Sequence, residues 1–383
     1  MTESNPDAGR LIALLREAGR AVAAETFDEA DWQRIVELAQ KQSVAPLLYA
    51  RLRERGITPT PAAAQQLRDI YLASIIRNTR LLHEVGNIFR AFQAADIPVI
   101  PLKGACLAEA VYGNIALRQM GDVDLWIQRH QLDAARQVMQ SLGYASHSKA
   151  DRPQALQDAL TGETQMFKSN APMVELHWNV FPGEWLRHTA QIDEQVIWQR
   201  TVPLNRETVH QLSPEDAIIH LCVHLAVNHQ MSEIGLRTLL DLDFARRKWI
   251  IDWRTVAQRA CAWRVSCATW LVLQALAELF GDPDHQLPLP DLAPSPWRQF
   301  VLRRFVSARL LMEGLHLSSG PKRFLYLLSL VDRPADAILL LWRAFFPDHL
   351  WLTLRYGLQD APPWRIRLQR LWHPLSIVLK REI

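Results

Sequence analysis

Residues 97–127, IPVIPLKGACLAEAVYGNIALRQMGDVDLWI, constrain this chain more than any other stretch. An apolar run from Ile97 to Leu102 meets Lys103-Gly104, a helix-compatible segment follows, and Asp122-Val123-Asp124 leads into Leu125, Trp126 and Ile127. The pattern predicts a strand, a turn, a helix and a second strand. Side chains alternate faces along a strand, so Asp122 and Asp124 point one way while Val123 and Leu125 point the other. Two carboxylates about 7 Å apart on one face repel each other, and a divalent cation between them and a phosphate removes that cost. Asp122 and Asp124 are therefore the first candidates for a metal site.

The surroundings of this stretch set its context. With 383 residues, the chain is long enough for two domains, or for one with a large helical extension. Its 49% hydrophobic and 22% charged content is that of an ordered globular protein. Charged residues and Pro334 interrupt the most apolar C-terminal run, Phe324 to Phe346, so no membrane span is expected. The opening MTESNPDAGR lacks the basic and apolar regions of a secretion signal, which makes the cytoplasm the default location. Cys106, Cys222, Cys261 and Cys267 form no CxxC pair, which argues against structural zinc or a disulfide framework.

Before residue 96 the pattern is helical: a stripe from Leu11 to Leu15, another from Asp31 to Leu48, and a long run from Ala62 to Phe92. From Ile97 strands and helices alternate. A helix is expected over about His130 to Leu142, capped by Gly143, with strands at Thr164–Lys168 and Met173–Val180. In the latter, MVELHWNV, Glu175 and His177 share one face. Ser213-Pro214-Glu215-Asp216 starts a helix, with Ser213 as N-cap, and helical spacing then runs to about Phe280 with breaks near Gly235 and Asp252. The expected organisation is a helical layer over 1–95, a catalytic core over 96–210, a helical domain over 211–285 and a basic, Trp-rich helical region over 286–383. The fold class is α+β, a small mixed sheet embedded in a mostly helical chain.

The series LKG, Arg118, GDVDLWI and VELHW resembles the uncharacterised nucleotidyltransferase family, which is related to the polymerase-beta-like nucleotidyltransferases. The resemblance extends through SPEDAIIHLCVHLA and LRTLLDLDFA and thins after about residue 285. The wider superfamily usually has Gly-Ser before the helix and a shorter separation to its Asp-x-Asp; here Lys103-Gly104 stands in that place. The resemblance implies transfer of an NMP group from an NTP, with ATP the first choice, to an acceptor, and release of pyrophosphate. It implies that Asp122, Asp124 and Glu175, the third carboxylate, hold two Mg²⁺ ions, or Mn²⁺ in their place, and carry the chemistry. Lys103, Gly104 and Arg118 would bind the triphosphate, Gly104 by allowing close approach at a helix N-terminus and the two cations by charge. Family members are associated with bacterial biosynthetic clusters, so the implied acceptor is a small molecule, a peptide natural product or a protein side chain.

Each signal has a plainer alternative. Asp122 and Asp124 could be solvated acids on a strand, Lys103 a surface cation, and Arg118 the partner of a nearby carboxylate. His177 could orient Glu175 or serve as a structural histidine. His220 and His224 share a helix face but lack the Glu of HExxH, and Asp241 and Asp243 lie two apart on a helix, so both pairs read as structural. From residue 291 onward there are fourteen Lys or Arg against seven Asp or Glu, among Trp342, Trp351, Trp364 and Trp372. Such a tail could meet anionic lipid or an acidic partner. Inward packing of the Trp rings is the favoured expectation. A net charge of +3 argues against a dedicated nucleic-acid coat. Two rival readings are a catalytically silent nucleotide-binding or partner-binding module and a nucleic-acid end modifier guided by the basic tail.

Overall fold

The computed structural model describes residues 6–16, 27–147, 158, 161–206, 208–231, 235–283, 285–304 and 320–380. Its sheet has seven strands: β1 (Val99–Leu102), β2 (Asp122–Ile127), β3 (Ala145–His147), β4 (Glu163–Phe167), β5 (Met173–His177), β6 (Val202–Arg206) and β7 (Val209–Gln211). They lie in the order β3-β4-β5-β2-β1-β7-β6. β2 pairs antiparallel with β1 and parallel with β5, so the sheet is mixed and the α+β class holds.

Alternation along the strands divides the core. Val123, Leu125 and Ile127 of β2 join Val174 and Leu176 of β5 on the face covered by the Pro61–Ala94 and Leu132–Ser141 helices, through Leu81, Val85, Ile88 and Phe92 and through Ala135 and Met139. Ile100, Leu102 and Trp126 point to the opposite face and belong to a second cluster, built mainly by the helices after Ser213. Asp122 and Asp124 share that second face, and the acids are therefore roofed by helices.

The helix after Lys103 is shorter than the sequence suggests, ending at Ala110. The chain turns at Gly113, φ +66°, and the following carbonyls are claimed by side chains of the long helix: Ser74 Oγ donates to Ala116 O at 2.8 Å and Asn78 Nδ2 to Arg118 O at 2.7 Å. Backbone groups satisfied in this way need no helix. The Asp31–Leu48 stripe is two helices, Glu29–Lys41 and Ala45–Glu54, separated at Ser43, φ +56°. Ser213 caps the Pro214–Val223 helix, its Oγ accepting from the Asp216 N–H at 3.3 Å. That helix continues as a π-helical turn, His224–Asn228. Beyond Gly235 run the helices Gly235–Lys248, Trp253–Ala262 and Ser266–Phe280, the last two separated at Arg264, φ +59°.

The tail departs from the expected inward packing. Trp342, Trp364 and Trp372 are 58%, 64% and 54% exposed. In their helices, Pro334–Phe345 and Pro363–Lys380, the inward positions belong to Leu340, Ile366 and His373, while the Trp-bearing stripes have no covering element among the described residues. No helix among the described residues is long and apolar enough to cross a membrane.

Beyond β5 the chain is held by a half-buried acid. The Val180 N–H donates to Glu194 Oε1 at 3.0 Å, and burial pushes the Glu194 carboxyl up to about 7. Because the folded state raises this carboxyl above its unfolded value, its contribution is fully present below the usual carboxylate range and is lost as pH rises toward 7. Glu194→Gln keeps the acceptor and removes the titration. At pH 8 the variant should melt about 2–4 °C above the parent, with the difference vanishing near pH 4, in thermal unfolding followed by circular dichroism.

Candidate active site

The site begins at the end of β1. Lys103 adopts φ +49°, ψ −116°, a corner conformation that a side chain disfavours, and it delivers its ammonium to Asp124 Oδ1 at 2.7 Å. Asp124 lies directly opposite Glu175 in the parallel β2–β5 register, and Gln165 and Glu163 of β4 lie opposite Glu175 and His177. These side chains therefore project on one face. His177 Nε2 is 3.1 Å from Asp124 Oδ1 and 3.8 Å from Glu175 Oε2, and its Nδ1 is 3.5 Å from Glu163 Oε2. Gln165 Nε2 donates to Glu175 Oε1 at 2.8 Å.

The charges are set by this packing. Asp124 is only 4% exposed; burial pushes its carboxyl up, but Lys103 and His177 outweigh that and hold it well below the usual carboxylate range. Glu175 moves the other way, raised by burial and then by the charge of Asp124. Burial pulls the His177 imidazole down, yet the hydrogen bond and charge of Asp124 leave it raised, which favours its protonated form. Two adjacent carboxylates with opposite shifts are what acid–base chemistry requires.

Asp124, Glu175 and His177 each offer a ligand atom, all within 4.8 Å of one another. The expected trio was Asp122, Asp124 and Glu175. Asp124 and Glu175 are brought together as expected, and His177 replaces Asp122 in the tight cluster. Asp122 sits two residues earlier on the same strand, partly exposed and near Arg118 and Arg237.

Gly104 and Arg118 are found in different surroundings from those expected of phosphate-binding groups. The Arg118 guanidinium is 5% exposed and donates to both oxygens of Asp241 at 2.8 Å, with Tyr112 Oη donating to Asp241 at the same distance. A buried guanidinium needs a counter-charge, and the Gly235–Lys248 helix supplies it. A Cβ at Gly104 would lie 2.6 Å from Arg118 Nη1, so glycine is needed here to admit the guanidinium. Asp243, the other acid of that helix, pairs with Arg246 at 2.6 Å and with Arg247 at 3.0 Å.

Above the acids runs a row of rings that includes His220 and His224, the pair expected to be structural, and adds Phe181 and His229. Phe181 stacks on His220, His220 on His224, and His224 meets His229 edge-on at 4.5 Å between centroids. Burial, then the charge of Lys103, pulls His220 down to about 3 and His229 to about 4, and both causes pull His224 well down. All three stay neutral. Their signal in the sequence was a run of three histidines at 220, 224 and 229, the last two flanking the π-helical turn, a local geometry found often at functional sites.

A family model described as uncharacterised nucleotidyltransferase matches residues 28–281. The chain belongs to this family. As a nucleotidyltransferase it is an enzyme that passes an NMP group from an NTP to an acceptor. No curated protein matches it. Among solved structures, the antibiotic-resistance factor ANT(2'')-Ia is similar at 11% identity, over 48% of this chain and 95% of that chain. The TM-score is 0.30.

The Arg118–Asp241 pair gives the nucleotidyltransferase a stability test. Arg118→Ala leaves a buried carboxylate without its cation and should cost about 3–5 kcal/mol in urea unfolding. Arg118→Lys should recover little, because one ammonium cannot replace the two-point contact.

Proposed function

We propose that this nucleotidyltransferase moves an NMP group from an NTP, with ATP the first candidate, to a hydroxyl of a small molecule, a peptide natural product or a protein, with Mg²⁺ as the working metal and Mn²⁺ as a substitute. The observation that carries this reading is the side-by-side placement of Asp124 and Glu175 across the β2–β5 register. The donor set fits a divalent cation: two carboxylates, and an imidazole that counts as a donor only in its neutral form, have ligand atoms within 4.8 Å of one another, with Asp122 further along the same face. On this reading Asp122, Asp124 and Glu175 hold the metal, with His177 as an added neighbour.

A bound divalent ion would screen the triphosphate charge and that of the departing pyrophosphate. The rest falls to the chain. Glu175, whose carboxyl is raised by burial and by Asp124, accepts the proton of the acceptor hydroxyl as its oxygen attacks the α-phosphorus and the bond to pyrophosphate breaks. Gln165 fixes the orientation of Glu175 through its hydrogen bond. Lys103 neutralises Asp124 and would be available to phosphate oxygens if a bound cation took over that role. His177 keeps Asp124 oriented. The neutral histidine row lines the roof and would add no positive charge opposing a bound cation.

The experiment is label transfer from each of the four NTPs, labelled at the α-phosphate, with Mg²⁺ or Mn²⁺ and with candidate acceptors. Asp122→Ala, Asp124→Asn and Glu175→Gln should each lower transfer by about 10²–10⁴-fold, and removal of metal by chelation should abolish it. Lys103→Met removes both a phosphate contact and the counter-charge of buried Asp124, so it should raise the NTP KM by about tenfold and also lower stability in urea unfolding. Transfer that persists at the parent rate in Asp124→Asn would overturn the assignment.

A further inference from the structure

We propose that the C-terminal helices dock this enzyme on an anionic lipid bilayer surface. In the Pro363–Lys380 helix, Trp364, Leu368, Leu371 and Trp372 follow the spacing i, i+4, i+7, i+8, which collects them into an arc of about 100°. All four are at least half exposed, while Ile366 and His373 on the opposite side are buried. The apolar stripe of this helix therefore faces solvent, the reverse of an ordinary surface helix. Arg365 lies along one flank of the stripe and Arg367 along the other, with Arg370 beyond it; all three are exposed, and the helix contains no Asp or Glu.

The neighbouring Pro334–Phe345 helix also turns apolar side chains outward, with Ile338 and Trp342 67% and 58% exposed. Its orientation is fixed by polar ties elsewhere on its surface: Arg343 Nη1 lies 2.7 Å from His188 Nδ1, and Asp336 pairs with Arg264 at 3.2 Å. The acid of this helix is thus already neutralised, and the outward stripe is held rather than adventitious.

Charge selects the occupant. The region from residue 291 onward carries twice as many Lys and Arg as Asp and Glu, whereas the remainder of the chain is net acidic. A second copy of this chain, placed stripe to stripe, would bring the flanking arginines of both copies together, which disfavours self-association. A bilayer with anionic headgroups accepts Trp and Leu at the acyl boundary and arginines at the phosphate level, the arrangement of a helix lying in the interface plane. None of the described helices spans a membrane, so contact would be peripheral.

The test is co-sedimentation of the full-length protein with vesicles of phosphatidylcholine alone or of phosphatidylcholine mixed with phosphatidylglycerol. Binding to the mixed vesicles is expected to exceed binding to the neutral ones by about tenfold and to weaken with salt. The combined variant Trp364→Ser, Leu371→Ser and Trp372→Ser should lose about tenfold or more in partitioning with an unchanged circular dichroism spectrum, since these side chains are exposed. Arg365→Gln with Arg367→Gln and Arg370→Gln should lose the preference for phosphatidylglycerol, and this variant decides the matter if the first one misfolds. No sedimentation with the mixed vesicles would overturn the proposal. So would partitioning that neither variant reduces, or a dimer seen by light scattering that the serine variant dissociates while vesicles remain unbound.

Discussion

The buried charge of Asp124 is the constraint on which the site depends. A carboxylate this far from water is tolerated only when hydrogen-bonded and matched by cations, and Lys103 and His177 meet that requirement from two directions. Lys103 reaches Asp124 from a backbone corner better suited to glycine, a conformation that costs about 1–3 kcal/mol and persists where the surroundings over-determine it. β1, β2 and β5 are thereby fastened at one point by charge as well as by backbone pairing. A rotation of Lys103 away from this corner would strand the carboxylate, so turn and strand stand or fall together.

A second buried pair organises the elements around the first. Arg118 and Asp241 join the loop before β2 to a roof helix, and Tyr112 and the Gly104 backbone close around them. The roof so anchored carries His220, His224 and His229, each kept neutral first by burial and then by Lys103. The result is a site with concentrated charge on the sheet and uncharged polar rings above it.

Strand β2 was legible from the sequence because a period of two with one apolar face admits a single register. The meeting of Asp124 with Glu175 was not written in spacing; it came from resemblance, and the parallel register accounts for it. Arg118 and Asp241 are 123 positions apart, and nothing local to either one names the other. The loop after Ala110 was misjudged for the same reason, since its carbonyls are satisfied by Ser74 and Asn78 some forty residues earlier. β3 and β7, three residues each, and the five-residue β6 were not foreseen. In the tail, periodicity revealed the stripes on the helices. It could not say which side would face the protein, because that depends on whether another element offers a complementary surface.

Exposure grades the acids of the site, and the grading bears on how a substrate would reach them. Asp124 is enclosed, whereas Asp122 and Glu175 are partly open. A ligand approaching the sheet therefore meets Asp122 and Glu175 before Asp124, whose charge is already committed to Lys103. Under the proposed reading, Asp124 acts as the fixed anchor, and the two more accessible carboxylates exchange water for ligand. Were Asp124 to hold a divalent cation, the Lys103 ammonium now on its Oδ1 would be free to pair with phosphate oxygens instead. A lysine that could serve both states would give a physical reason for a side chain at a backbone position that glycine would occupy without strain.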